Sequence, residues 1–443
     1  MIEKVHNEGL CTGCGTCMGV CPNEAVKIIK DEHRGIYIPQ VDKNLCNECG
    51  LCLKVCPGYS VDFKELNLEI FDKEPGDVLI GNYIKCYIGH ATDEKIRYNA
   101  SSGGIITQLL IFALEKGIID GAIVTKMHEK NPLETKVFIA RSKEELIEAS
   151  GSKYCPSPVN TILKAIALSK DGKFAFVGLP CHLHGIRKAE RIDKNLESKV
   201  VLHFGLFCGN TVTSLGTEYF LQKLGVKKKD VKKLDYRGGG WPGEIVVSLI
   251  NGRKKIFSRK FDEISTIDSI HYESAFHFDF VPPRCLLCCD ETSELSDISF
   301  GDPWLPEMKD EKTGKNLIIS RSKIGEDLLQ KALNEGKIEL SEISPTKVLE
   351  SQESALIFKK KLLHRLNLLH LLKKHTPYYN STFLKPSWVD YLYFIFFYIF
   401  TYFSSNKHLW TLISFYSYIR YFLIKPIFRR LYKLSKIFNS SRV

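Results

Sequence analysis

Two short segments near the beginning of the chain decide its fold: residues 11–22 read CTGCGTCMGVCP and residues 46–57 read CNECGLCLKVCP. Both follow the pattern C-x2-C-x2-C-x3-C-P, and their first cysteines lie 35 positions apart. Together they hold eight of the 15 cysteines in a chain of 443 residues. Such regular, repeated spacing indicates an internal duplication that binds metal, and a secreted disulfide scaffold is the less favoured interpretation.

The repeated spacing predicts two iron–sulfur clusters. Three cysteines separated by two residues can converge on one cubane, because four thiolates must approach four irons from tetrahedral directions, and the cysteine before the proline ligates the other cluster. The alternative is a pair of structural zinc sites, although zinc needs neither four cysteines per copy nor the trailing Cys-Pro. The predicted ligands are Cys11, Cys14, Cys17 and Cys56 for the first [4Fe–4S] cluster, and Cys46, Cys49, Cys52 and Cys21 for the second.

The net charge of +11 is concentrated at the C-terminal end of the chain. Residues 355–443 hold 15 Lys and Arg and one acidic residue, Asp390, which gives +14; the preceding residues hold 47 basic and 50 acidic residues, which gives −3. A nearly neutral body does not support a nucleic-acid-binding face, so no nucleic acid partner is expected. No apolar run follows residues 1–4, so no secretion signal is expected, and a reducing cytoplasm fits the cysteines.

Beyond the repeat, strand-like and helix-like segments alternate, which favours an α+β fold. We expect a ferredoxin-like two-cluster domain at 1–60, a polar linker at 61–82, a mixed α/β body at 83–350 and a helical, aromatic tail at 355–443. A leucine-rich basic segment at 357–374 is predicted to form one amphipathic helix. The other predicted elements are a helix at 107–114 and strands at 25–29, 35–39, 118–124, 173–177, 200–207, 245–249, 255–261 and 298–300.

Seven cysteines lie outside the repeat, and four of them are candidate ligands of a third [4Fe–4S] cluster. A C-x2-C pair in a cytosolic protein is metal-binding or redox-active more often than structural. Cys181 and Cys208 each follow a predicted strand, at loops where binding residues gather, although both could be small buried apolar residues instead. Cys289 is not predicted to be a ligand, since adjacent cysteines rarely face one metal. The predicted third set is Cys181, Cys208, Cys285 and Cys288.

Five further motifs follow the repeat in one order: RYNASSGG at 97–104, GSKY at 151–154, FVGLPCH at 176–182, RCLLCCD at 284–290 and DISFGD at 297–302. With these motifs, residues 1 to about 345 resemble the beta subunit of coenzyme F420-reducing hydrogenase and its relatives. The resemblance implies FAD in the body, a cluster near it, and hydride exchange with the deazaflavin coenzyme F420 in members that use one. The family also includes chlorophyll-derivative reductases and bacterial proteins linked to surface polysaccharide synthesis, so fold transfers better than substrate.

A flavin fits such a chain because clusters carry single electrons while hydride donors exchange two, and an isoalloxazine can do both. Residues 101–104 come directly before the predicted helix, whose N–H groups would face a pyrophosphate; an ordinary N-cap with a glycine turn is the alternative. Residues 151–154 offer a cation and two hydroxyl groups, or a simple surface turn. The candidate flavin-binding residues are Ser101, Ser102, Gly103, Gly104, Gly151, Ser152, Lys153 and Tyr154.

Other residues near these motifs have weaker chemical signals. The glycine-rich loop at 238–243 could cover a cofactor as a lid, although a wide hairpin loop is favoured. His182 and His184 could relay protons, as could Asp302, but a lone loop histidine more often has no such role. The sequence assigns no catalytic residue.

The tail contains 16 aromatic residues among the 37 at positions 388–424, and its uncharged segment at 391–406 has 16 residues. A spanning helix needs about 20 apolar residues, so the tail is predicted to lie on an anionic membrane surface. A spanning hairpin and a helix docked on another subunit are the alternatives. The predicted location is cytoplasmic, peripheral on the inner face of the cell membrane.

The residues and the resemblance together predict an iron–sulfur flavoprotein oxidoreductase that passes electrons through [4Fe–4S] clusters to or from FAD and a hydride-exchanging substrate such as coenzyme F420. The expected partners are a redox protein or ferredoxin, and hydrogenase or dehydrogenase subunits. Two alternatives stay open: a membrane-associated reductase of a polysaccharide or lipid-linked intermediate, and a non-catalytic electron-transfer subunit.

Overall fold

The computed structural model describes residues 2–258, 267–424, 426–427 and 430–431. Its first part is a small domain in which each cysteine copy contains a single-turn helix. Two strands between the copies form an antiparallel hairpin, as predicted. The elements are α1 (Ile2–Asn7), α2 (Thr16–Gly19), β1 (Val26–Asp31), β2 (Ile36–Val41) and α3 (Leu51–Lys54).

The polar segment after the repeat, predicted as a linker, contains regular structure. Strand β3 (Ser60–Asp62) is followed at once by helix α4 (Phe63–Phe71), and the Asp62 side chain caps the helix by accepting a hydrogen bond from the Glu65 N–H at 2.9 Å. The polar composition of this segment reflects the solvent-facing side of α4, since Phe63 and Leu66 on its other side are buried.

The body is a mixed α/β structure with many short elements. Its strands are β4 (Lys85–Ala91), β5 (Gly121–Met127), β6 (Thr135–Ala140), β7 (Phe174–Gly178), β8 (Val200–Leu206), β9 (Val231–Gly238), β10 (Glu244–Leu249), β11 (Lys254–Ser258), β12 (Ile298–Gly301), β13 (Asn316–Ser320) and β14 (Ile338–Ile343). Its helices are α5 (Glu94–Asn99), α6 (Ile105–Glu115), α7 (Lys143–Glu148), α8 (Leu163–Leu168), α9 (Pro180–Glu190), α10 (Lys194–Lys199), α11 (Ser214–Lys223), α12 (Ile267–Glu273), α13 (Lys323–Asn334) and α14 (Pro345–Lys360).

Within the described residues, the larger sheet has eight strands in the order β14-β4-β13-β12-β8-β7-β5-β6, and the smaller one has three in the order β11-β10-β9. The four strands β12, β8, β7 and β5 pair in parallel, so their carboxyl ends lie at one edge of the sheet. Both faces of this region are covered: Ala175 packs in one apolar core, while its neighbours Phe174 and Phe176 pack in another.

The predicted α+β fold class is confirmed, and the helix at 107–114 and most predicted strands fall within observed elements. The start of one predicted strand was wrong. The strand predicted from residue 118 begins at Gly121, because the Ile118 N–H bonds the Ala113 carbonyl and closes α6. The strand predicted at 255–261 is confirmed at 255–258 as part of β11, and its predicted end at 259–261 lies outside the described residues.

The single helix predicted at 357–374 was wrong. Helix α14 ends at Lys360, and a separate helix α15 (Leu363–Leu371) follows. The prediction assigned the basic side chains to a solvent-facing side, whereas Lys359 and Arg365 are buried. The chain therefore turns at Lys361 to place these cations inside the protein.

The aromatic tail folds back onto the chain's own body through β15 (Tyr378–Asn380), α16 (Trp388–Phe403) and α17 (Trp410–Ile419). Strand β15 pairs in parallel with β3. Trp410 packs in the same apolar core as Tyr219, and Arg420 forms a 2.6 Å ion pair with Asp279. No helix among the described residues is long and apolar enough to cross a membrane.

Candidate iron–sulfur centres and flavin-motif loops

The four cysteines of the first predicted cluster site line one pocket. Cys11, Cys14, Cys17 and Cys56 face it, and its other walls include Ile2 and Pro39. The structure therefore brings the last cysteine of the second copy to the first three of the first copy. Close packing explains one glycine here: Gly15 has φ +85°, and a Cβ on it would lie 2.7 Å from Cγ2 of Thr161.

The chemistry of these four thiols fits a metal cluster. Burial raises the pKa of Cys11 to about 12 and that of Cys56 to about 11, with neighbouring cysteines adding to the effect. Thiolates in this site consequently need a positive metal centre to replace their protons, and cluster insertion releases those protons.

The second predicted site lies at the surface. Burial raises the pKa of the Cys52 thiol, and Cys49 and Cys21 raise it further. These three thiols therefore lie within electrostatic range of one another. A 3.0 Å hydrogen bond from the Asn23 side chain to the Leu45 carbonyl holds the Cys46 loop beside the Cys21 loop. Cys49 is exposed, whereas Cys14, Cys17 and Cys56 of the first site are buried.

The third predicted set also comes together. Cys181 lies in the first turn of α9 after β7, and Cys208 follows the parallel neighbour β8. Cys285 and Cys288 lie at a short helical turn in the loop before β12. Burial raises the pKa of the Cys181 thiol strongly, and Cys14, Cys208, Cys285 and Cys288 all raise it further, which places the third set beside the first.

The remaining three cysteines, Cys86, Cys155 and Cys289, do not belong to the three predicted sets. Cys289 is fully buried in an apolar cluster with Val61, Phe63 and Leu295, while Cys86 lies on β4 and Cys155 contributes to the core under β9. In the described part of the chain, no three or more His, Cys, Asp or Glu side chains are grouped so that they could hold a single metal ion.

Arg284, which sequence reasoning did not assign, connects the three parts of the chain at this point. Its guanidinium donates to the Pro57 carbonyl of the repeat at 2.9 Å, to the Leu287 carbonyl of the ligand loop at 2.9 Å and to the Tyr379 hydroxyl of the tail at 2.7 Å. A buried guanidinium suits this connecting role because it stays charged and presents several N–H donors in one plane. Only its position directly before the C-x2-C pair could have drawn attention to it.

The two flavin-motif loops meet each other. The Ser152 N–H donates to Ser101 Oγ at 2.6 Å, and Gly104 has φ +76° directly before α6. The first N–H of that helix, on Ile105, already bonds the Asn316 side chain at 3.1 Å. The two loops are adjacent, but one of the helix donors is used by the protein itself.

Lys153 is turned into its own loop. Its ammonium donates to the carbonyls of Ser150 at 3.1 Å and Gly151 at 2.8 Å, and also bonds the Ala149 carbonyl. Burial lowers the pKa of this lysine to about 8. In this arrangement Lys153 shapes the loop, and its charge is not directed at an external phosphate.

The glycine-rich loop at 238–243 joins the antiparallel strands β9 and β10, which fits the hairpin interpretation. Trp241 within it is buried, and its indole N–H donates to Asp302 at 3.0 Å. Asp302 also pairs with Arg237 at 2.5 Å. Asp302 thus fixes the loop, and these contacts explain its presence without a proton-relay role.

The two candidate histidines also have structural partners. His182 accepts a hydrogen bond from the Leu179 N–H at 3.1 Å, and burial lowers its pKa to about 4, so the ring is neutral. The His184 ring lies 2.9 Å from Asp290. Both histidines hold the region around Cys181 in shape.

Comparison with known families gives three matches along the chain. Two of the matching models describe the coenzyme F420 hydrogenase/dehydrogenase beta subunit: the model of its C terminus matches residues 171–346, and the model of its N-terminal part matches residues 86–164. A 4Fe-4S dicluster domain matches residues 10–59. The N-terminal repeat is therefore a [4Fe–4S] domain, and the body has the architecture of these beta subunits.

Individual relatives agree with this result. A coenzyme F420 hydrogenase subunit beta from Methanosarcina barkeri is 29% identical over 61% of this chain and 86% of its own length. An uncharacterised protein of Methanocaldococcus jannaschii is 30% identical over 77% of this chain and 91% of its own. A solved structure of the F420-reducing [NiFe] hydrogenase complex from Methanosarcina barkeri matches with a TM-score of 0.53 and 25% identity, covering 70% of this chain and 98% of the matched chain.

Proposed function

The chain belongs to the coenzyme F420 hydrogenase/dehydrogenase beta subunit family of oxidoreductases, and from this premise we propose that it passes electrons through three [4Fe–4S] clusters to or from FAD, which exchanges hydride with coenzyme F420. One observation carries the proposal. Burial raises the pKa of the Cys181 thiol, and Cys14 of the first predicted set and Cys208, Cys285 and Cys288 of the third all raise it further, which supports a third cluster near the first.

In this proposal the three sets form a path for electrons through the protein. Cys49 of the second set is exposed and the other three cysteines of that set are partly buried, so this set is the proposed entry or exit point for electrons from a redox partner. The first set is more buried and takes its fourth cysteine, Cys56, from the second copy of the repeat. The third set lies at the carboxyl edge of the parallel strands, where α/β proteins bind their ligands.

FAD bound in the body would convert between the single electrons of the clusters and the electron pair of a hydride. The residues available to hold it are those of the two adjoining loops, 101–104 and 151–154. Their contribution is backbone N–H groups and small side chains, because Lys153 is committed to the carbonyls of its own loop.

Flavin and iron analysis of anaerobically purified protein tests this proposal. We expect about one FAD and about twelve irons per chain, and bleaching of the visible spectrum by reduced F420. Iron without flavin would favour a non-catalytic relay. Flavin without any response to F420 would favour the membrane-associated reductase of a polysaccharide or lipid-linked intermediate.

Partners follow from what the relatives are named. A beta subunit of F420 hydrogenase and an F420-dependent formate dehydrogenase subunit beta are components of larger enzymes. We propose that this chain likewise docks a hydrogenase or dehydrogenase subunit, or a ferredoxin, at the exposed loop that carries Cys46 and Cys49.

We further propose that the tail rests on an anionic membrane surface through one face of α16. The face is opposite the buried residues Val389 and Phe394, and exposed lysines at 373, 374 and 385 lie near it in the chain. Basic residues beside an exposed apolar face favour anionic lipid. The exposed residues of this face are Trp388, Leu392, Ile395, Ile399 and Tyr402.

A further inference from the structure

Lys359 is a buried lysine that neither the motifs nor the family matches cover. It lies in the last turn of α14 with 2% of its surface exposed, and the matched part of the body ends at residue 346. Burying an ammonium is costly unless negative charge compensates it, so its surroundings require an explanation.

The helix that carries Lys359 packs against the third cysteine set. A Cβ placed on Gly209, the residue after Cys208, would lie 3.9 Å from the Cβ of Ala355. Ala355 and Lys359 are four residues apart, so they lie on the same face of α14. That face is therefore directed at the loop of a predicted ligand.

The charges around Lys359 come mainly from this set. Burial alone would lower the pKa of the lysine, but Cys288, Cys208 and Cys285 outweigh it and raise the pKa, with Glu291 contributing as well. Burial raises the pKa of the Cys208 and Cys285 thiols, and Lys359 acts against that increase. The lysine and the thiols thus form one charge-compensated group inside the protein.

Three other buried cations lie nearby, and two of them, Arg284 and Arg365, also lie within electrostatic range of the third set. Lys360 bonds Glu294 at 2.5 Å, with both side chains buried. Arg284 donates to two carbonyls and to the Tyr379 hydroxyl, and Cys288 and Cys285 act against burial to raise its pKa. Arg365 donates to the Lys359 carbonyl at 3.3 Å. Consecutive lysines at the end of α14 therefore face two different sets of negative charge.

We propose that Lys359 acts through the third cluster by raising its midpoint potential. This inference rests on the proposed third cluster. Uptake of one electron adds one negative charge to the cluster, and a cation held nearby in a buried site stabilises that reduced form. Hydrogen bonds, charge and solvent exposure around the sulfur ligands are the means by which proteins set cluster potentials. A higher potential at the third cluster favours electron movement toward it from the first.

An EPR-monitored redox titration of the full chain with dithionite and mediators tests the inference. Wild-type protein with about twelve irons should show three one-electron steps. In Lys359→Met, and in Lys359→Gln as a second variant, one step should move to lower potential while the other two stay in place. Lys359→Arg keeps the charge and should restore the wild-type step.

Lys347→Met provides the matched control, because Lys347 lies on the same helix but at the surface, paired with Glu307 and Glu350. It should leave all three steps unchanged. Three unmoved steps in Lys359→Met and Lys359→Gln with full iron content would overturn the inference, as would the loss of about four irons from both variants. Wild-type protein with about eight irons would instead overturn the proposed third cluster before any variant is compared.

Discussion

The cysteine repeat and the C-terminal tail differ in how well the sequence alone predicts where their residues lie. In the repeat, ligands sit at fixed short spacings, and the structure brings together the residues that the spacing predicts. In the tail, the basic and aromatic composition predicts a segment that lies on a membrane surface. Trp410, Arg365 and Lys359 are nevertheless buried against the body. Local spacing therefore reveals ligand sets, whereas long-range burial decides what a charged or aromatic residue does.

The largest expected effect concerns the ligand sets. Cys181→Ser should lose about four irons, because a cubane lacking one of its four thiolates is not retained as a complete cluster. Its matched control is Cys289→Ser, since Cys289 packs with Phe63 and Leu295 instead. Iron and acid-labile sulfide assays on both variants check this prediction. Full iron in Cys181→Ser, or lost iron in Cys289→Ser, would show that the third set was chosen wrongly.

The next prediction separates the two tryptophans of the tail. Trp410→Ala should lower the free energy of unfolding by about 3–5 kcal/mol, because it removes a core side chain packed on Tyr219 and Phe280. Trp388 is 54% exposed, and Trp388→Ala should cost less than about 0.5 kcal/mol. Urea denaturation of both variants measures the difference. Equal, small effects would mean that the tail is a detachable anchor.

Asp297, a buried residue of the body, should make part of the free energy of unfolding depend on pH in the acidic range. Burial alone would raise the pKa of Asp297, but its hydrogen bond with His203 and the charge of Arg187 lower the pKa to about 2. An unfolded aspartate has a pKa of about 3.9, so the stabilisation is present above that pH and is lost as the pH falls toward 2, by about 2 kcal/mol. Asp297→Asn should reduce the change in the free energy of unfolding over this pH range. An unchanged pH dependence would contradict a lowered pKa of Asp297 as its cause.

The smallest effect concerns the exposed face of α16. Leu392→Glu should weaken binding to vesicles containing anionic lipid by roughly tenfold, because it replaces apolar contact with like charge. Leu168→Glu is the control, since Leu168 is also exposed but lies on α8 in the body. Sedimentation with vesicles measures binding. Equal binding of wild type and Leu392→Glu would refute the membrane proposal.

Prediction from sequence worked where the signal was local. The two strands between the cysteine copies, most strands of the body and the two-cluster domain follow from patterns within a few residues. Cys181 and Cys208 were predicted as ligands because each follows a predicted strand. The helix predicted at 357–374 failed because leucine and lysine periodicity cannot show that Lys359 is buried. Arg284 was missed for the same reason: its partners, Pro57 and Tyr379, are distant in the chain.

The relation between the repeat and the body is tested most directly by the iron and acid-labile sulfide content of the anaerobically reconstituted wild-type chain. Three [4Fe–4S] clusters, with Cys14 of the first near Cys181 of the third, would contain about twelve irons and about twelve sulfides per chain. About eight of each would confine the clusters to the repeat and contradict an electron path into the body.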